Sequence, residues 1–189
     1  MIEVRPGGRR RIDRVLAADY VRDLNTLTLA NLRERRDEAA QEETDLSYLR
    51  RLLHARIDIV RAEQQRRSSG GEASIVDQLA TILADNAIGP AAGSGRHQPL
   101  EPSRAGEYRR RAEALVGDAD LSDVSSLTDE KLAETLSTYR EQEASVSMRR
   151  REVQAVVDAL NAEIAGRYAQ GTASVDELLA SERRRDDAD

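Results

Sequence analysis

Five side chains able to do chemistry stand in one row between residues 143 and 158. They are Glu143, Ser147, Arg150, Gln154 and Asp158, at steps of 4, 3, 4 and 4. A second row, Glu43, Ser47, Arg50, His54 and Asp58, repeats the spacing and departs once, with His in place of Gln. On a helix turning about 100° per residue, each row forms a stripe about 80° wide and about 22 Å long. Carboxylates accept the N–H donors of a guanine edge. Arginine donates to guanine oxygen and nitrogen, to phosphate, or stacks on a base plane. Serine, glutamine and histidine supplement either contact. Acid and base on one stripe therefore suit a ligand that carries both guanines and phosphates. A solvated helix face laced with ion pairs would also be charged, but it needs neither a serine at one place nor an arginine three residues later.

The elements that position these rows are legible in the composition. The chain has 189 residues, no Phe, no Trp and five Tyr, and 34% of it is charged. A compact α/β enzyme of this size would bury several large aromatics, so the composition points instead to long helices with narrow apolar seams. The absence of cysteine excludes disulfides, thiol catalysis and cysteine-bound metal. Two histidines, His54 and His97, are too few to suggest a metal site. The net charge of -6 argues against direct DNA binding and for a basic protein partner. No apolar run is long enough for a membrane span and no signal peptide is evident, so a cytoplasmic location is expected.

Along the chain, residues 1–24 read as a partly helical N-terminal extension and 25–67 as a first long helix. Residues 68–124 read as a flexible linker with short helices, 125–168 as a second long helix and 169–189 as a tail. The first helical pattern begins near Arg9, with a break at Asn25-Thr26, and stops at Ser68-Ser69-Gly70-Gly71. Thr128 is a good N-cap, with Asp129 and Glu130 in the first turn, and Gly171 ends the second helix. Short helices are expected over 72–87, 104–116 and 174–185, with a Pro- and Gly-rich stretch over 88–103.

At an offset of 100 residues the two long helices match without a gap. The pairs include Asp23/Asp123, Leu27/Leu127, Thr28/Thr128, Leu32/Leu132, Glu34/Glu134, Glu63/Glu163 and Arg67/Arg167, besides the row residues themselves. This is an internal duplication. Beside each row runs an apolar stripe: Leu46, Leu49, Leu53, Ile57 and Val60 in one copy, and Val146, Val153, Val157, Leu160 and Ile164 in the other. Leu49 has no apolar counterpart, because position 149 is Arg. Each helix has one apolar edge to bury, so the two edges should pack on each other. The connection is long enough for either orientation. An antiparallel pair brings both mid-helix rows together, so the expected fold is all-α: a long two-helix antiparallel coiled coil with short accessory helices. A two-fold protein suits a two-fold ligand, and cyclic di-GMP has two guanines, two phosphates and two-fold symmetry.

The pattern E-x3-S-x2-R-x3-Q-x3-D, complete at Glu143, Ser147, Arg150, Gln154 and Asp158, resembles the cyclic-di-GMP-binding signature of the RsiG anti-sigma factors of actinobacteria. The copy at Glu43, Ser47, Arg50, His54 and Asp58 departs at His54 alone. The resemblance spans residues 25–67 and 125–167. It implies an antiparallel coiled coil that carries an intercalated dimer of cyclic di-GMP as regulatory ligand, without metal. It further implies a sporulation or flagellar-type, WhiG-like sigma factor as partner, held away from RNA polymerase. All ten row residues would be ligand contacts, with none catalytic, and two copies in one chain make a monomer sufficient. A structural coiled-coil adaptor with no ligand is the competing expectation. An enzyme is less compatible, since the two carboxylates of one row stand about four turns apart and no catalytic motif appears.

Overall fold

In the computed structural model, residues 2–69, 102–104, 106 and 121–171 are described, and every element among them is helical. A short helix α1, Arg11–Val15, precedes a 3-10 turn at Leu24–Thr26 and the long helix α2, Leu29–Ser68. A second 3-10 turn, Leu121–Ser126, precedes the long helix α3, Asp129–Ala169. No helix among the described residues is long and apolar enough to cross a membrane.

The long helices begin alike because the duplication extends to their caps. The Thr28 hydroxyl accepts the Asn31 N–H and the Thr128 hydroxyl accepts the Lys131 N–H, each at 3.2 Å. Each satisfies one of the donors that a helix start leaves without a partner. Asp129 and Glu130 add negative charge to the first turn of α3. At the far end of α3, Gly171 takes a φ of +68°, the left-handed position that closes helices.

The chain divides into two compact units, and each long helix contributes one segment to each. The first unit comprises Met1–Glu3 and Glu43–Arg150. Its core is Leu46, Leu49, Leu53, Ile57 and Val60 of α2 with Leu132, Leu136, Tyr139 and Val146 of α3, all buried. Burying each such side chain contributes roughly 1.5–3 kcal/mol. The strands of contact run antiparallel: Arg67, near the end of α2, meets Asp129 at the start of α3, whereas Glu43 meets Arg150. Arg67 also donates to the Ser125 carbonyl and to Glu63, which is fully buried between Arg66 and Arg67. Arg66 foremost, with Arg67, overcomes the cost of that burial and holds Glu63 down at about 2.

The second unit comprises Val4–Glu42 and Arg151–Asp189. Its core joins Leu32 and Ala39 of α2 with Val153, Leu160 and Ile164 of α3, and with Ile12, Val15 and Tyr20 of the N-terminal segment. Here Arg167 repeats what Arg67 does in the first unit: it is held by Glu163 and donates to the carbonyls of Leu27 at 2.6 Å and Leu24 at 2.8 Å, ahead of α2. Arg33 bonds the Tyr168 hydroxyl, so this pairing is antiparallel too. The N-terminal segment turns at Arg5-Pro6-Gly7-Gly8, closed by Gly8 N–H to Arg5 carbonyl at 2.9 Å, with Gly7 at a φ of +70°. Asp13 collects the Arg5 and Arg10 N–H groups and the Arg10 guanidinium, which holds its carboxyl well below the usual carboxylate range. A Cβ on Gly8 would stand 2.3 Å from Asp13 Oδ2, so the turn accepts no side chain there.

The all-α architecture with two long antiparallel helices is thus as the seams implied. The N-terminal region differs in detail. Instead of one pattern from Arg9 broken at Asn25-Thr26, α1 ends at Val15 and turns occupy residues 16–23, with Asp23 in the left-handed region at a φ of 52°. Tyr20 explains why the chain leaves the helix: its hydroxyl donates to the Arg35 carbonyl and to Glu38, each at 2.9 Å, which needs this stretch folded back on α2. The helices expected over 72–87 and 174–185, almost all of 104–116 and most of the linker lie outside the described residues.

Candidate ligand-binding site

Where α2 and α3 cross in the first unit, the two polar rows are wired into each other. Arg50 of α2 donates from Nε to Glu143 Oε1 at 3.1 Å and to Ser147 Oγ at 3.0 Å on α3. In return, Arg150 of α3 donates from Nη1 to Glu43 Oε1 of α2 at 3.0 Å. Within each helix the serine donates one turn back to its glutamate, Ser47 to Glu43 at 2.8 Å and Ser147 to Glu143 at 2.6 Å. Each copy therefore supplies a Glu–Ser pair that receives the other copy's arginine. This reciprocity follows from the duplication: the crossing relates the two copies by an approximate two-fold, so a contact made by one helix recurs with the roles exchanged. The two arginine clamps are seven residues apart on each helix, about 10 Å along the axis.

These side chains are half-buried rather than sealed. Arg50 is 40% exposed and Glu143 20%, and Arg150 and Glu43 are each 28% exposed. Among the described residues Arg50 bonds through Nε alone, so both its terminal nitrogens remain for an oxyanion. Burial pushes the Glu143 carboxyl up. The Ser147 hydroxyl, Arg50 and His54 together outweigh that effect and hold it below its ordinary value. Glu143 is thus a carboxylate at neutral pH, ready to accept further N–H donors. His54 completes the cluster, with Nε2 at 3.1 Å from Glu143 Oε1.

The expected residues therefore separate. The structure brings together Glu43, Ser47, Arg50, His54, Glu143, Ser147 and Arg150. Asp58 lies in the same unit but pairs within α2 with Arg61 at 3.6 Å. Gln154 and Asp158 belong to the second unit, on the exposed side of α3.

Three polar residues not assigned a role from the sequence hold non-helical chain against the helices of the first unit. Asp45, fully buried, takes the Ser103 N–H and hydroxyl at 2.6 Å and the Arg104 Nε at 3.3 Å. At the equivalent position Ser145 takes the Ile2 N–H at 2.9 Å, and Arg149 donates to the Ile2 carbonyl at 3.0 Å. The missing apolar counterpart of Leu49 is thereby explained: Arg149 satisfies a backbone carbonyl of the N-terminal segment. The signal available was a polar residue repeated at 45 and 145 on the face opposite the row, next to the seam. The duplication also runs further than the long helices, through Arg9/Arg109, Arg10/Arg110 and Arg11/Arg111 at one end and Gly71/Gly171, Ser74/Ser174 and Leu79/Leu179 at the other.

Antiparallel helices from a duplicated sequence, each completing the polar cluster of the other, define a class of tandem two-helix proteins with a symmetric site at the crossing. Residues 18–83 and 118–182 match the RsiG-like family model, and the chain belongs to that family. The two matched segments begin 100 residues apart, the offset of the duplication itself. The family is one of regulators of the anti-sigma-factor type, which makes a sigma factor the class of partner. No curated protein matches the chain.

Proposed function

We propose that this protein is an anti-sigma factor that binds cyclic di-GMP at the helix crossing and, with it, sequesters a sporulation or flagellar-type, WhiG-like sigma factor from RNA polymerase. The observation that carries the reading is the reciprocal pair of clusters, Arg50 on Glu143 and Ser147, and Arg150 on the Glu43 that Ser47 also bonds. A symmetric nucleotide with two guanines and two phosphates matches them in chemistry and in symmetry. In this reading the arginines turn to phosphate or to the guanine Hoogsteen edge. The glutamates, released from the cross-helix pairs, take guanine N–H donors, and Ser47, Ser147 and His54 fill in around them. Asp58 extends the contacts along its row, and an intercalated dimer of the nucleotide would span both clusters of the first unit. The exchange replaces one set of charge-assisted bonds by another, so the site is held ready without ligand and changes partners on binding. The protein acts in the cytoplasm as a monomer outside its sigma-factor complex.

The acidic net charge of -6 suits a sigma factor's basic DNA-binding surfaces. If the nucleotide binds the complex more tightly than either protein alone, linkage requires that it raise the affinity between them by the same factor. Calorimetric titration of cyclic di-GMP into the full chain tests the ligand, with GTP as the control for guanine and phosphate chemistry lacking the two-fold. Saturable heat with cyclic di-GMP and none with GTP is expected. Absence of binding would leave a coiled-coil adaptor as the better account. Chromatography of the nucleotide after incubation is expected to return it intact.

A further inference from the structure

The two copies of the site differ at one position that can change charge. His54 stands where the second copy has Gln154. Its Nε2 shares Glu143 Oε1 with Arg50 Nε at 3.1 Å and Ser147 Oγ at 2.6 Å, so one carboxylate oxygen faces three donors. The equivalent oxygen of Glu43 faces two, Ser47 and Arg150. The His54 side chain is 36% exposed, so solvent protons reach it. An imidazole changes charge near neutrality, where a glutamine does not.

We propose that His54 makes the nucleotide half-site on Glu143 proton-linked: the imidazolium locks Glu143 into the helix crossing, and the neutral ring releases it. The proposal rests on the reading of the site as one for cyclic di-GMP and names the regulation of that site. The charged groups around the ring come from both helices. On α2 they are Arg50 one turn before and Asp58 one turn after, the latter paired with Arg61. On α3 it is Glu143. Glu143 and Asp58 favour the charged ring and the arginines oppose it. Glu143 is the one in direct contact, so protonation of the ring turns their hydrogen bond into an ion pair. A guanine N–H that claims Glu143 must then displace an ion pair, whereas against the neutral ring it displaces only a hydrogen bond. Ligand binding therefore expels a proton, and acid weakens binding. Among the described residues no imidazole bonds Glu43, so the two halves of a symmetric nucleotide are held unequally.

The test is calorimetric titration of cyclic di-GMP into the full chain and into His54→Gln, at about pH 6 and about pH 8, in two buffers of different ionisation enthalpy. The expected result is an affinity of the natural chain roughly three- to tenfold lower at the acid pH. Proton release should show as a buffer-dependent heat, and both effects should be absent in His54→Gln. Equal affinity of the natural chain at both pH values overturns the proposal alone, as does a pH dependence that survives in His54→Gln. Absence of binding by both forms at both pH values overturns the ligand reading and the proposal with it.

Discussion

Arg150→Ala separates what the crossing contributes to ligand binding from what it contributes to folding. Without ligand, Arg150 holds Glu43 at 3.0 Å, and both side chains are 28% exposed. An ion pair so open to water contributes about 0–1 kcal/mol, which in a chain of this size shifts the melting temperature by a few degrees, roughly 2–4 °C per kcal/mol. The apolar seam beside it is untouched, since Val146 and Val153 remain buried. With nucleotide bound, the same substitution removes a charge-assisted bond worth about 1.5–3 kcal/mol. That is a loss of about tenfold to hundredfold in affinity, at about 1.4 kcal/mol per factor of ten. Calorimetry reads the affinity and circular dichroism the melt. Unchanged affinity would remove Arg150 from the site. A melt lowered by much more than a few degrees would mean that the clamp serves the fold rather than the ligand.

Other perturbations follow from the same structure. Leu53 is fully buried in the first unit, so Leu53→Ala should cost about 2–5 kcal/mol of stability, seen as a lower urea midpoint; a cost near zero would contradict the seam. Glu63 titrates near 2 in the folded chain against an ordinary 4.5, so its contribution is present above about pH 4.5 and lost as pH falls toward 2. Glu63→Gln should flatten the decline of melting temperature across that acid range, and an equally steep decline would show that Glu63 does not drive it. Arg149→Ala leaves the Ile2 carbonyl without its donor, so the first residues should become several-fold more sensitive to an exopeptidase or to limited proteolysis; unaltered cleavage would mean that Ser145 alone retains the segment.

Much of this was legible because a duplicated sequence carries its own comparison. The repeat of Leu32/Leu132, Thr28/Thr128 and Arg67/Arg167 marks the helix starts, the seam and the ends without reference to any other protein. The rows were legible as stripes. Their wiring was not, because the Arg50–Glu143 and Arg150–Glu43 bonds depend on the antiparallel register, which no local pattern specifies. The helix ends were read to within a few residues, since capping is local chemistry. The tethers were hidden for the opposite reason: Ser145 to Ile2 and Asp45 to Ser103 join residues 143 and 58 apart in sequence, and a lone polar residue beside a seam reads as exposed until its partner is known. The turn after α1 was misjudged because Tyr20, whose hydroxyl seeks Glu38 and the Arg35 carbonyl, outweighs the helical pattern around it. Asp58, Gln154 and Asp158 share their rows by spacing, but spacing along one helix says nothing of what stands opposite.

The central claim, that the nucleotide joins this chain to a sigma factor through the helix crossing, is tested most directly by capture. The chain is immobilised and a WhiG-like sigma factor is passed over it with and without cyclic di-GMP, alongside the Arg50→Ala, Arg150→Ala double variant. Retention that requires the nucleotide, and that the double variant loses while keeping its helical melt, is the predicted result. Equal retention with and without nucleotide, or nucleotide-dependent retention that survives in the double variant, would contradict it.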